Sequence, residues 1–268
     1  MNIALIPIFV ALGGLVGFLA GLLGIGGGMT IVPVLAVLFS REGFEAAHVL
    51  PLAIGTACET IVFTSVSSAR AHHSRKAVDW QIVKAMAPGL VVGSIIGPQI
   101  ATALPPRVLA VVFGIFMWFT AARMLRNSLP KPSGKLPATP MLFGVGIAIG
   151  IVSGMVGAGG AFLIVPFLVR ANVKMHAAVG TSAALGLPIA IAATLGYVIA
   201  GVRMDGLPPY SIGYVYLPAF AAIVVASVLF APMGARVAHS WPVAKLRRSF
   251  AAMMFLLGIY MWWRAFGG

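Results

Sequence analysis

Apolar residues fall in long runs separated by short polar stretches. The runs cover residues 3–23, 29–39, 48–69, 80–103, 107–125, 141–156, 161–169, 177–200, 211–234 and 248–266. Most reach the roughly 20 residues that a helix needs to cross hydrocarbon. Two of them, 29–39 and 161–169, fall short. Each follows a glycine cluster, Gly24-Ile25-Gly26-Gly27-Gly28 in one case and Gly157-Ala158-Gly159-Gly160 in the other. A short apolar segment beside a glycine break predicts a discontinuous or re-entrant helix.

Composition narrows the class. Hydrophobic residues make up 60% of the chain and charged residues 9%. A soluble domain runs at about 45–50% and about 25%. So few charges cannot cover a water-facing surface, which excludes a soluble enzyme, a disordered chain and a disulfide scaffold. The expected fold is an all-α polytopic membrane protein. Cys58 is the sole cysteine, so Cys-based metal sites and internal disulfides are excluded. No metal or other cofactor is expected. His72 and His73 lie in a basic loop and suit a solvated face. The net charge of +13 is carried between the apolar runs, where Lys and Arg mark a cytoplasmic face. They can also draw anions toward a pathway. Nucleic acid is not an expected partner; the lipid bilayer is.

The two halves resemble each other. GLLGIGGGMTIVP at 21–33 aligns without gaps on GMVGAGGAFLIVP at 154–166. Further on, Gly55-Thr56 matches Gly180-Thr181, and GIFMWF at 114–119 matches GIYMWW at 258–263. Motifs repeated in the same order indicate an internal duplication. It divides the chain into a first membrane repeat at 1–126, a cytoplasmic linker at 127–140 rich in Pro, Ser and Lys, and a second membrane repeat at 141–268. The run 3–23 lacks the basic start of a signal peptide, so it is expected to stay in the mature protein. Trp118, Trp262 and Trp263 lie at span ends, where tryptophan anchors helices at the interface.

Charge separates a parallel duplication from an inverted one. If each glycine segment is crossed straight through, the basic residues divide ten against eight between the faces. If each turns a hairpin and returns, they divide fourteen against four, with only Arg41, Arg107, Arg203 and Arg264 on the poorer face. The second division obeys the positive-inside rule. The expectation is therefore two inverted repeats, each with a glycine-broken helical hairpin plus three transmembrane helices, and both termini outside the cytoplasm.

Bare backbone in hydrocarbon survives only where it lines a cavity or meets a ligand. The helices after the breaks begin with unpaired N–H groups and about half a positive charge each. Two such ends at one cavity suit a small anion. The candidate binding residues are Gly26, Gly27, Gly28 and Thr30 from the first break, and Gly159 and Gly160 from the second. Thr56, Thr181 and Ser182 are candidate hydroxyl donors. Glu59 lies near mid-span, where a carboxylate is costly; it is either a neutral structural group or a proton-coupling group. No catalytic Ser-His-Asp set and no GxxxxGK[ST] motif is present, so neither an enzyme nor an ATP-driven pump is expected.

The doubled glycine motif, the later Gly-Thr positions and the layout resemble the TauE/SafE family of sulfite and organosulfonate exporters over nearly the whole chain. The resemblance implies secondary transport of small sulfur-containing anions, out of the cytoplasm, coupled to the proton gradient, in a bacterial-type inner membrane. It places the family's glycine positions on Gly24, Gly26, Gly27 and Gly28, and on Gly157, Gly159 and Gly160. Ala158 and Ala161 stand where the first copy has Ile25 and Gly28, so the site is expected to be asymmetric. The alternatives are a permease for another small anion or solute, and a membrane scaffold that transports nothing. A second copy of the chain, giving a homodimer, is a candidate partner.

Overall fold

The structure, a computed structural model, describes residues 6–23, 28–126, 134–238 and 243–267. The described residues form ten helices: α1 (Ile6–Leu23), α2 (Gly28–Arg41), α3 (Ala46–Ser74), α4 (Trp80–Ala103), α5 (Pro106–Arg126), α6 (Thr139–Val156), α7 (Ala161–Arg170), α8 (Met175–Gly201), α9 (Leu217–Ala238) and α10 (Val243–Gly267). Five of them, α3, α4, α5, α6 and α8, are each long and apolar enough to cross a membrane. The protein is an all-α polytopic membrane protein. Large apolar side chains such as Ile115, Leu195, Val225, Leu229 and Leu256 point outward, as a lipid-facing surface requires.

One expected helical run divides. Residues 211–216 do not begin α9 but form a small antiparallel hairpin, β1 (Ser211–Ile212) with β2 (Val215–Tyr216). The sequence Ser-Ile-Gly-Tyr-Val-Tyr is rich in β-formers, and Gly213, at φ +53°, supplies the turn.

Two helix pairs pack most closely, α1 on α9 and α6 on α4. Small residues let the backbones touch. A Cβ on Gly13 would lie 2.6 Å from the Ile223 carbonyl oxygen, and Gly17 abuts Ser227. In the matching positions of the other pair, Gly146 abuts Met86 and Gly150 abuts Leu90. Both pairs run parallel. The remaining registers fix the other directions. Thr56 meets Tyr216 and Phe63 meets Phe220, so α3 runs parallel to α9. Asp79 meets Thr181 and Gln99 meets Gly196, so α4 runs parallel to α8. Hence α1 and α3 point the same way, and α2 between them carries the chain back. By the same logic α6 and α8 point the same way, and α7 returns.

Helices that match by sequence pack antiparallel. Along α3 and α8, Gly55 meets Tyr197 while Ser65 meets Gly186. Between α5 and α10 the contact is reciprocal: a Cβ on Gly114 would lie 2.5 Å from Trp262, and one on Gly258 would lie 2.5 Å from Trp118. These are the equivalent residues of GIFMWF and GIYMWW. Trp118 and Trp262 therefore pack on each other, ring centroids 4.9 Å apart, across the helix pair. Trp263 remains exposed.

Candidate functional site

The second glycine break is a tight reversal. α6 ends at Gly157, which is left-handed (φ 64°, ψ 36°). The Gly157 and Ala158 amides both donate to the Ser153 carbonyl. Gly159 and Gly160 are also left-handed, at φ 62° and 76°, a conformation that side chains with a Cβ resist. α7 starts at once, and the Leu163 and Ile164 amides donate to the Gly160 carbonyl. The four intervening amides, from Gly159 to Phe162, have no acceptor among the described residues. They are the unpaired donors of a helix N-terminus, extended by the left-handed glycines.

The reversal lies inside the protein, not at its surface. It is bordered by Ile54, Cys58 and Ile61 of α3 and by Ile189 of α8, side chains from the middle stretch of each helix. A buried hydroxyl joins it. Ser153 is 1% exposed, and its Oγ has no hydrogen-bond partner among the described residues. That oxygen lies 3.4 Å from where a Cβ on Gly160 would stand. Among the described residues, a Cβ on Gly159 would touch only Ile61, at 3.7 Å.

The first break approaches the second. Gly24–Gly27, and with them Gly26 and Gly27, lie outside the described residues. Gly28 opens α2 and packs against the Gly157 carbonyl. Thr30, two residues on, is 2% exposed, with an unpartnered hydroxyl. The two breaks differ chemically. Ser153 matches Ala20 in the first copy, and Thr30 matches Leu163 in the second.

The hydroxyls of Thr56 and Thr181 are engaged elsewhere. Thr56 Oγ1 donates to the Leu52 carbonyl and accepts from the Tyr216 amide at 3.0 Å. Thr181 Oγ1 accepts from the Asp79 amide at 2.9 Å. The preceding glycines match too: Gly55 abuts the Tyr214 carbonyl and Gly180 the Ala77 carbonyl. Each Gly-Thr pair thus clasps the segment leading into the other repeat's fourth helix. The clasps lie far apart, because Thr56 is level with Tyr197, about 24 Å of helix rise from Thr181. Ser182 is buried beside one clasp with an unpartnered hydroxyl. Glu59 is half-buried on α3; the Thr194 hydroxyl of α8 lies alongside its carboxyl but outside hydrogen-bonding geometry.

Near the Thr56 clasp, His48 Nδ1 lies 3.1 Å from the Tyr214 hydroxyl, and its Nε2 lies 3.5 Å from Glu45. Burial, and then the Glu45 carboxylate, push the Tyr214 phenol above its usual range. The direction of the hydrogen bond between His48 and Tyr214 follows the tautomer of the imidazole. Sequence reasoning passed over Asp79, Tyr214 and Tyr216, and weighed Ser153 only as a catalytic serine lacking partners. For Ser153 a signal existed: a hydroxyl four residues before the helix-ending Gly157.

The family described as "Sulfite exporter TauE/SafE" matches residues 9–261. The chain belongs to the TauE/SafE family. A relative from Haemophilus influenzae, named "Probable membrane transporter protein", is 33% identical over 250 residues, covering 93% of this chain and 95% of its own. A second, "Probable membrane transporter protein MJ0441" from Methanocaldococcus jannaschii, is 25% identical over 259 residues, covering 96% and 95%. A third of the same name, from Xylella fastidiosa, is 28% identical over 273 residues, covering 99% and 98%. No solved structure matches this chain. This TauE/SafE protein is a multi-pass membrane transporter and not an enzyme.

Proposed function

We propose that this TauE/SafE protein is a secondary transporter that exports a small sulfur-containing anion, sulfite or an organosulfonate, across a bacterial-type inner membrane. The observation that carries this reading is the run of free amides from Gly159 to Phe162, with the buried Ser153 hydroxyl beside it. Amide donors in a partly buried setting hold negative charge without a basic side chain. Gly28, and with it the N-terminus of α2, stands against the same loop. Thr30, with its buried hydroxyl, adds to the site from that side.

The halves act as inverted repeats, with both termini outside the cytoplasm. The antiparallel packing of α3 on α8 and of α5 on α10 supports this, together with the fourteen-to-four division of basic residues. Access alternates as one repeat rocks against the other. The Thr56 and Thr181 clasps lie at opposite ends of the α3–α8 pair and hold one repeat to the other. Both are formed in this structure, which fits an occluded conformation. Opening either clasp frees the segment leading into α4 or α9. Glu59, between α3 and α8, exchanges the coupling proton. The chain works as a homodimer.

Radiolabelled sulfite flux in proteoliposomes tests the proposal. Saturable flux is expected for the native protein, with loss in Gly159→Leu and several-fold weakening in Ser153→Ala. Native flux in both variants would remove the loop as the site.

A further inference from the structure

The charge around the loop sets which anions it accepts. We infer that the site takes monovalent anions, hydrogensulfite or a sulfonate, and rejects the dianions sulfite and sulfate. This rests on the anion-site reading above.

The positive side of the ledger is small. α2, α3, α6, α7 and α8 border the loop. No Lys or Arg occurs in residues 28–40, 46–69, 139–169 or 175–201. Positive potential at the loop therefore comes from backbone alone. A helix N-terminus carries about half an elementary charge. Two helices begin here, α7 after Gly160 and α2 at Gly28, and α6 ends here with the opposite sign, so the helix ends sum to about half a positive charge. That sum leaves a monoanion nearer to balance than a dianion.

Desolvation sharpens the difference. Its cost rises with the square of the charge, so a dianion loses roughly four times as much as a monoanion on leaving water. The walls do not compensate, since Ile54, Ile61 and Ile189 are aliphatic. The added polar group is Ser153, a neutral hydroxyl that is 1% exposed and unpartnered beside Gly160. The titratable groups bordering this level are Cys58 and Glu59 of α3 and Tyr197 of α8. None is basic, and an ionised Glu59 would repel a dianion more strongly than a monoanion.

The test is ligand protection of the full-length protein in detergent, at constant ionic strength, with three probes. Methanesulfonate is a monoanion at every pH used, sulfate is a dianion, and sulfite changes between the two near neutral pH. Methanesulfonate is expected to protect with an affinity that Ser153→Ala lowers several-fold. Sulfate is expected to protect at least tenfold more weakly. The apparent affinity for total sulfite is expected to fall about tenfold per pH unit once the dianion predominates. Methanesulfonate, measured at the same pH values, separates this from titration of Glu59. Equal protection by sulfate and methanesulfonate overturns the charge rule while leaving the anion site standing. No protection by any of the three overturns the anion site, and the charge rule with it.

Discussion

Gly28 stands against the carbonyl of Gly157: a Cβ on Gly28 would lie 2.5 Å from that oxygen. Gly28 opens α2 and Gly157 caps α6, so this contact joins the two glycine clusters. Gly28→Val is expected to destabilise the fold by about 1–3 kcal/mol, the usual cost of overpacking. Gly144 of α6 is the control. A Cβ there meets nothing within 4 Å, so Gly144→Ala is expected to be neutral or to stabilise by up to about 1 kcal/mol. Thermal unfolding in detergent separates the two.

The clasps carry the second prediction. Thr181→Val leaves the Asp79 amide without its acceptor, and Thr56→Val does the same to the Tyr216 amide. Thr56→Val is expected to lower stability by about 1–3 kcal/mol, the cost of an orphaned buried donor, and Thr181→Val by less, because the Asp79 amide is only part-buried. Amide hydrogen exchange reads the effect locally: faster exchange at Asp79 in the first variant, and at Tyr216 in the second. Faster exchange at both sites in either variant would show that the clasps are not independent.

Topology has its own check. With Cys58 replaced by alanine, single cysteines at positions 73 and 172 are expected to react with an impermeant thiol reagent from the cytoplasmic side. Cysteines at 43 and 204 are expected to react from outside. Labelling of 73 and 172 from opposite sides would contradict the inverted arrangement.

Glu59 separates coupling from structure. Glu59→Gln is expected to retain binding of methanesulfonate and to flatten the pH dependence of methanesulfonate-driven proton movement in proteoliposomes. An unchanged profile would assign the carboxyl a structural role beside Thr194.

Much of the fold was legible in the sequence, because hydrophobic runs of span length and a gap-free internal match leave few arrangements. The short runs beside Gly24–Gly28 and Gly157–Gly160 already implied interrupted helices, and the second break is one. Helix ends were blurred where the pattern is continuous. Residues 211–216 are as apolar as the helix they precede, and only Gly213 and the β-branched and aromatic neighbours mark the hairpin. The candidate site was legible in part. Bare glycine announces where backbone is exposed, so Gly28, Gly159 and Gly160 could be named. The roles of Thr56 and Thr181 could not be, since their partners Tyr216 and Asp79 come from the opposite repeat. A hydroxyl on a helix face is the same letter whether it faces a ligand or a neighbouring amide. Trp118 and Trp262 are a parallel case, since only the antiparallel α5–α10 register shows that they pack on each other.

The most direct measurement is the response of the loop amides themselves. Protein labelled with 15N-glycine, in lipid nanodiscs, is titrated with methanesulfonate and followed by NMR. The expected result is saturable shifts of the Gly159 and Gly160 amide resonances with one common affinity, weakened several-fold by Ser153→Ala. Binding detected elsewhere in the protein, with both amides unmoved, would contradict the claim that these glycines hold the anion.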